Sequence, residues 1–160
     1  MKNIIFSDFT ELEIDDFVLN KIFYYTQTKY RNESGGILLG KKYANINKYS
    51  INDVSVPCPK DKQGRCFFLR NKINAQKIIN TKWIESNGII NYLGEWHTHG
   101  VELPIPSITD HKLISQIIHD KSNVFEHVFM LILGSKKDLY VGLANSSYND
   151  KIFESKIIKG

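Results

Sequence analysis

With 42% hydrophobic and 24% charged side chains over 160 residues, the chain has the balance of one ordinary globular domain, and a domain of that size buries roughly 68–70% of its unfolded surface. Its net charge of +4 comes from 18 Lys and 3 Arg without a run of four basic residues, so a phosphate-tracking surface, and with it nucleic-acid binding, is not expected. The opening MKNIIFSDFTELEIDD lacks the pattern of a signal peptide and no apolar run is long enough for a membrane span, so a soluble, cytoplasmic protein is expected.

Taken in chain order, NIIFS reads as a short strand. Residues 10–28 place Ile14, Phe17, Val18, Leu19, Ile22 and Phe23 at helical spacing with Thr10 as the cap. Gly35-Gly36 break that pattern, and GILLG with KKYANIN reads as a strand. YSINDVSVP is the next strand, stopped by Pro57. PCPKDKQGR is a loop by its Pro, Gly and charge content, and Cys66-Phe67-Phe68-Leu69 is strand-like. Cys58 and Cys66 are the only cysteines; outside any CxxC pair, they fit free thiols in a reducing compartment. Residues 71–86 carry Ile73, Ile78, Ile79, Trp83 and Ile84, a second helix ended by Asn87-Gly88. IINYLGEWHTH is the strongest strand signal. SITDHKLISQIIHD follows Pro106 as a third helix with Leu113, Ile114, Ile117 and Ile118 on its apolar face. VFEHVFMLILG and LYVGLANSS read as strands, and KIFESKII as a last one. Strands interleaved with three helices predict an α/β fold, a mixed β-sheet flanked by helices, in one domain over residues 1–160.

The chemistry concentrates in GEWHTHGVELPIPSITD, residues 94–110. On a strand, residues two apart share a face at about 6.6 Å in Cα, so His97 and His99 can converge on one metal ion. Each could instead be an ordinary surface or core histidine. Ser107 and Asp110 form S-x-x-D ahead of an apolar helical run, which is a capping box and needs no other purpose. It also predicts that Ser107 begins the helix and that Asp110, in its first turn, can point back at the strand. Two imidazoles and a carboxylate are the ligand set of a catalytic zinc site with one position left for water. A base for that water could be Glu33, ahead of Ser34-Gly35-Gly36, or Glu95, on the same strand face as the histidines. His111, His119 and His127 read as ordinary helix and strand positions.

His97-Thr98-His99, the seven residues Gly100 to Pro106, then Ser107 and Asp110, with Glu33 upstream, together resemble the H-x-H-x7-S-x-x-D signature of the JAMM zinc metallopeptidases, whose JAB/MPN domain is a three-layer fold like that of cytidine deaminase. Thr98 replaces the more usual Ser, and its side chain faces away from the histidines. The resemblance implies one Zn²⁺ per chain held by His97, His99 and Asp110. It implies Glu33 as general base, since Glu95 matches a position where the family often has an aromatic residue, and Ser107 as the support of the oxyanion.

Members of this family cleave peptide or isopeptide bonds after the C-terminal Gly of ubiquitin-like proteins. GEWHTH and VPCPKDKQGRCFFLRN resemble the JAB-type deconjugating peptidases of CBASS antiphage operons, where an E1–E2 enzyme conjugates a nucleotidyltransferase. A ubiquitin-like or nucleotidyltransferase conjugate is then the implied substrate, with an E1–E2 partner in the same operon. A peptidase for a sulfur-carrier precursor and a non-catalytic MPN scaffold are the alternatives. A RadC-like protein would bring a helix-hairpin-helix or an Arg-rich patch, and a zinc deaminase a PCxxC pair, neither of which is present. Substrate contacts are expected from Val101 and Glu102 in the GVELPIP segment, and from Trp96 as a channel wall or core residue.

Overall fold

The computed structural model describes residues 1–149 and 151–160. In chain order the elements are β1 (Lys2–Ile5), β2 (Glu11–Ile14), α1 (Asp16–Tyr24), β3 (Gly35–Lys42), β4 (Lys48–Val54), β5 (Lys62–Gly64), β6 (Phe67–Leu69), α2 (Lys72–Glu85), β7 (Asn91–Thr98), α3 (Ile108–Ile118), β8 (His127–Leu133), β9 (Leu139–Asn145) and β10 (Ile152–Ile158). Among the described residues eight strands form one sheet in the order β1-β2-β4-β3-β7-β8-β9-β10, and β5 with β6 forms a separate hairpin. The pairs β2/β4 and β7/β8 are parallel and the other neighbours antiparallel, so the sheet is mixed as expected.

Strand alternation divides the core between the two faces. Phe129, Leu131 and Leu133 of β8 pack with Val18, Leu19 and Ile22 of α1. Val128, Met130 and Ile132 of the same strand pack with Ile114 and Ile117 of α3, and Ala75 of α2 covers Ile37 and Leu39. One helix thus lies on one face and two on the other, a three-layer arrangement with the sheet in the middle.

Two expectations are corrected. Residues 10–28 are not one helix capped by Thr10: Glu11–Ile14 is β2, and α1 begins after Asp15, whose carboxylate accepts from the Phe17 N–H at 2.9 Å. ELEI alternates with period two, and burying Leu12 and Ile14 completely is worth about 1.5–3 kcal/mol each, which a helical turn at the sheet margin would forgo. The loop 57–65 also contains β5, whose partner β6 pairs Lys62 with Leu69 and Gly64 with Phe67. In α2, Ile78 and Ile79 pack inward, whereas Ile73, Trp83 and Ile84 are exposed.

Candidate metal centre and its cavity

Register explains why the chemical residues meet. Strand β7 lies between β3, antiparallel to it, and β8, parallel to it. Gly35 stands opposite His97. One step outward the Thr98 N–H donates to the Ser34 carbonyl at 2.8 Å, and the Ser34 N–H donates back to the Thr98 hydroxyl at 2.9 Å. Continuing that ladder sets Glu33 across from His99. Thr98 does face away from the histidines, but its fully buried hydroxyl fixes the residue next to Glu33. Gly35 keeps this crossing close, because a Cβ there would sit 2.6 Å from the Phe68 ring and from the Trp96 carbonyl. Gly94 adopts φ 145°, and a side chain there would strike the Phe129 carbonyl at 1.9 Å.

Strand β7 ends at Thr98, and His99 is held just beyond it by its N–H donating to the Leu133 carbonyl at 2.9 Å. The two imidazole Nε2 atoms are 3.1 Å apart. Asp110 places Oδ1 3.0 Å from the His97 Nε2 and Oδ2 3.3 Å from the His99 Nε2. Ser107 is the N-cap of α3: its N–H and hydroxyl donate to Asp110 Oδ2 at 2.7 and 2.8 Å, and its oxygen accepts from the Asp110 N–H at 3.2 Å. The capping box and the histidine-facing carboxylate are therefore one arrangement, in which the box holds the carboxylate still.

Burial and charge set the protonation tendencies. Burial works against an ionised Asp110, but hydrogen bonds from His97 and His99, the His97 charge and the Ser107 backbone hold its carboxyl well below the usual range. Burial opposes a charged His99 too, and Asp110 overcomes it, so its pKa is raised. Glu33 is 8% exposed, and desolvation pushes its carboxyl up to about 7, with the His99 charge acting against the rise and Asp110 adding to it. A buried carboxyl with a pKa near neutrality is suited to taking up and giving back a proton.

These groups open into a cavity of about 770 Å³. Glu33, His97, His99, Ser107 and Asp110 all line it, as do Trp96 and Val101. Trp96 is a buried wall whose indole N–H donates to the Ser55 carbonyl at 2.9 Å. Glu102 is not among the lining residues; it is exposed and pairs with Lys136 at 2.7 Å. His127 lies in the α1-side core with Tyr49, 3.0 Å from its hydroxyl.

Among the lining residues that sequence reasoning did not assign to the site are Gln27, Arg65 and Arg70. Arg70, just after β6, donates through Nε to both oxygens of Glu95 at 2.7 and 3.0 Å, and the Tyr92 hydroxyl donates to the same carboxylate at 2.9 Å. Glu95 is thus engaged by Arg70 and Tyr92, next door to the histidines. An FFLR segment before a helix and a Glu two residues ahead of an HxH were the only hints. Because Glu95 is 4% exposed, Arg70→Met strands a buried carboxylate and lowers stability by about 3–5 kcal/mol. Chemical denaturation checks this, and Arg70→Met combined with Glu95→Gln recovers most of the loss.

The donor set fits zinc. At bond lengths near 2.0–2.1 Å, tetrahedral ligand atoms lie about 3.3 Å from one another; the spacings of 3.0–3.3 Å among His97, His99 and Asp110 match that. All three offer ligand atoms within 4.8 Å of one another, and Ser107 provides the outer contact that orients the carboxylate.

Comparison with known proteins agrees with this geometry. Residues 17–145 match the family described as prokaryotic homologs of the JAB domain. A protein of Escherichia coli (strain TW11681) named CD-NTase/cGAS isopeptidase is 36% identical over 140 residues, covering 81% of this chain and 85% of that protein. One of the same name from Vibrio cholerae is 33% identical, covering 78% of this chain and 76% of its own length. A solution structure of a Desulfitobacterium hafniense protein superposes with a TM-score of 0.58 at 16% identity, covering 92% of this chain and 90% of that one. That likeness concerns the fold alone.

Proposed function

Since the chain belongs to the prokaryotic homologs of the JAB domain, we propose that it is a zinc-dependent isopeptidase that releases a CD-NTase from its conjugates in bacterial antiphage defence. The observation that carries this is the cluster of His97, His99 and Asp110 with Glu33 opposite, at the wall of a cavity large enough for a peptide tail. The names of the Escherichia coli and Vibrio cholerae relatives support the substrate class. The protein acts as a single JAB/MPN domain in the cytoplasm, undoing conjugates made by an E1–E2 enzyme of the same operon.

His97, His99 and Asp110 hold the metal. Zinc, when bound, supplies Lewis acidity toward a carbonyl oxygen and makes water more acidic. Glu33 takes the proton of the attacking water at its carboxylate and passes it to the leaving amine. The Ser107 hydroxyl, at the cavity wall, swings its proton from Asp110 Oδ2 to the oxyanion that develops on the scissile carbonyl, while the Ser107 N–H goes on holding Asp110. An extended, Gly-ending tail lies beside β6, which pairs with β5 on one side only among the described residues. Main-chain hydrogen bonds to that edge carry affinity without demanding particular side chains.

The test is incubation of the zinc-loaded protein with a CD-NTase joined through its C-terminal carboxyl to a fluorescent protein. The expected outcome is a single cut after the last CD-NTase residue, abolished by a zinc chelator. A fusion that stays intact alongside fully metallated protein would overturn the reading.

A further inference from the structure

Gln27 lies in the segment between α1 and Glu33 and is 4% exposed. Its carboxamide nitrogen donates to two main-chain carbonyls, Arg65 at 2.8 Å and Arg31 at 3.2 Å. Arg65 sits in the turn between β5 and β6, and Arg31 stands just ahead of Glu33. The same two strips of chain meet twice more. The Glu33 N–H donates to the Gly64 carbonyl at 2.8 Å, and the Arg65 guanidinium donates to the Lys29 carbonyl. On its third side the carboxamide lies against Gly100, which follows His99: a Cβ on that glycine would stand 3.3 Å from the Gln27 Cδ.

The remaining atom of the carboxamide points to what it is kept for. Oε1 is buried and has no hydrogen-bond partner among the described residues. An amide retained for its bulk alone would be better replaced by an apolar side chain, since an unpaired acceptor in the interior is unfavourable. Turning the amide over would strand the nitrogen and set oxygen against two carbonyls. What the site uses is therefore the pair of N–H donors.

We propose that Gln27 is a positioning residue for Glu33, clamping the β5–β6 turn to the segment that carries the base and so fixing the carboxylate against the ligand cluster. The proposal rests on Glu33 as the base of the isopeptidase reaction. Arg65 is the second jaw of the clamp, and Gly100 leaves room for the amide beside the metal loop. General-base catalysis is sensitive to placement, and misplacement by about 1 Å can cost on the order of 10²-fold.

Gln27→Met tests this in the zinc-loaded full chain, because Met keeps the bulk and removes the donors. Two readouts are taken. Against the CD-NTase fusion, kcat falls about 10- to 10²-fold while KM stays within about twofold; an unchanged kcat, or a loss confined to KM, overturns the proposal. Amide hydrogen exchange followed by NMR supplies a readout independent of turnover. The Glu33 N–H exchanges at least about tenfold faster in the variant, while amides of β8 keep their protection. Unchanged protection at Glu33, or a uniform acceleration at every amide, overturns the clamp whatever the wild type cleaves. Absence of cleavage by the wild type overturns the isopeptidase reading instead, and the exchange result still decides the clamp.

Discussion

Glu33→Ala leaves the zinc content of the purified protein unchanged and abolishes turnover. The carboxylate belongs to neither the histidine pair nor the capping box; it comes from the far side of the β3/β7 ladder, so removing it takes nothing from the ligand set. General-base catalysis contributes about 10²–10⁴-fold, and turnover falls by at least that factor. Metal analysis by mass spectrometry alongside the cleavage assay checks both halves, and loss of zinc together with activity would reassign Glu33 as a ligand. The buried carboxyl has a second consequence in the metal-free protein. Its folded pKa is raised from 4.5 to about 7, so the folded state binds the proton more tightly than the unfolded one. The group therefore costs nothing below about pH 4.5 and destabilises progressively as pH rises toward 7. Glu33→Gln, without a charge to bury, is more stable than wild type above pH 7, and the difference shrinks to nothing in acid. Thermal melts of the metal-free forms across that range show it.

How much of this was legible in the sequence depended on the range of the interactions. His97 and His99 on one strand and Ser107 with Asp110 at one helix start are local patterns with fixed periods, and the structure brings all four to one cavity. The mixed sheet with three helices was readable from the same alternation of periods. The error at residues 10–28 arose because Ile14 satisfies both a helical stripe beginning at Thr10 and the alternation of ELEI; pairing with β1 and β4 decided for the strand. Glu33 could be singled out only through a family resemblance, since its place across from His99 depends on the register of strands some sixty residues apart in sequence. Gln27 was silent for the same reason, and Arg65 and Arg70 stood only inside a segment quoted for its family resemblance: their partners lie on other elements, and a lone Gln or Arg has no local signature of its own. The second helix was readable from its spacing, but which of its apolar residues face the sheet was not: Ile78 and Ile79 do, and Ile73, Trp83 and Ile84 do not.

Asp110→Asn separates the two roles that the sequence left as rivals. The side chain of Asn has nearly the shape of Asp and keeps an oxygen to accept from the Ser107 N–H and hydroxyl, so the cap survives in large part. It has no negative charge to hold a cation beside two imidazoles. The expected result is a protein that melts close to metal-free wild type, contains no zinc and cleaves nothing. Ser107→Ala gives the complementary pattern: the cap is lost at a cost of about 0.5–2 kcal/mol, the carboxylate and the zinc stay, and turnover drops with the missing oxyanion donor by about 10²–10³-fold. If Asp110→Asn kept its zinc, the carboxylate would be a cap and nothing more, and the metal site would need a third ligand from elsewhere. The present geometry argues against that, because both oxygens already lie within 3.3 Å of an imidazole nitrogen. Two imidazoles alone hold zinc weakly at neutral pH, whereas a carboxylate kept ionised and pinned by a helix cap completes the set without reorganisation when the metal arrives.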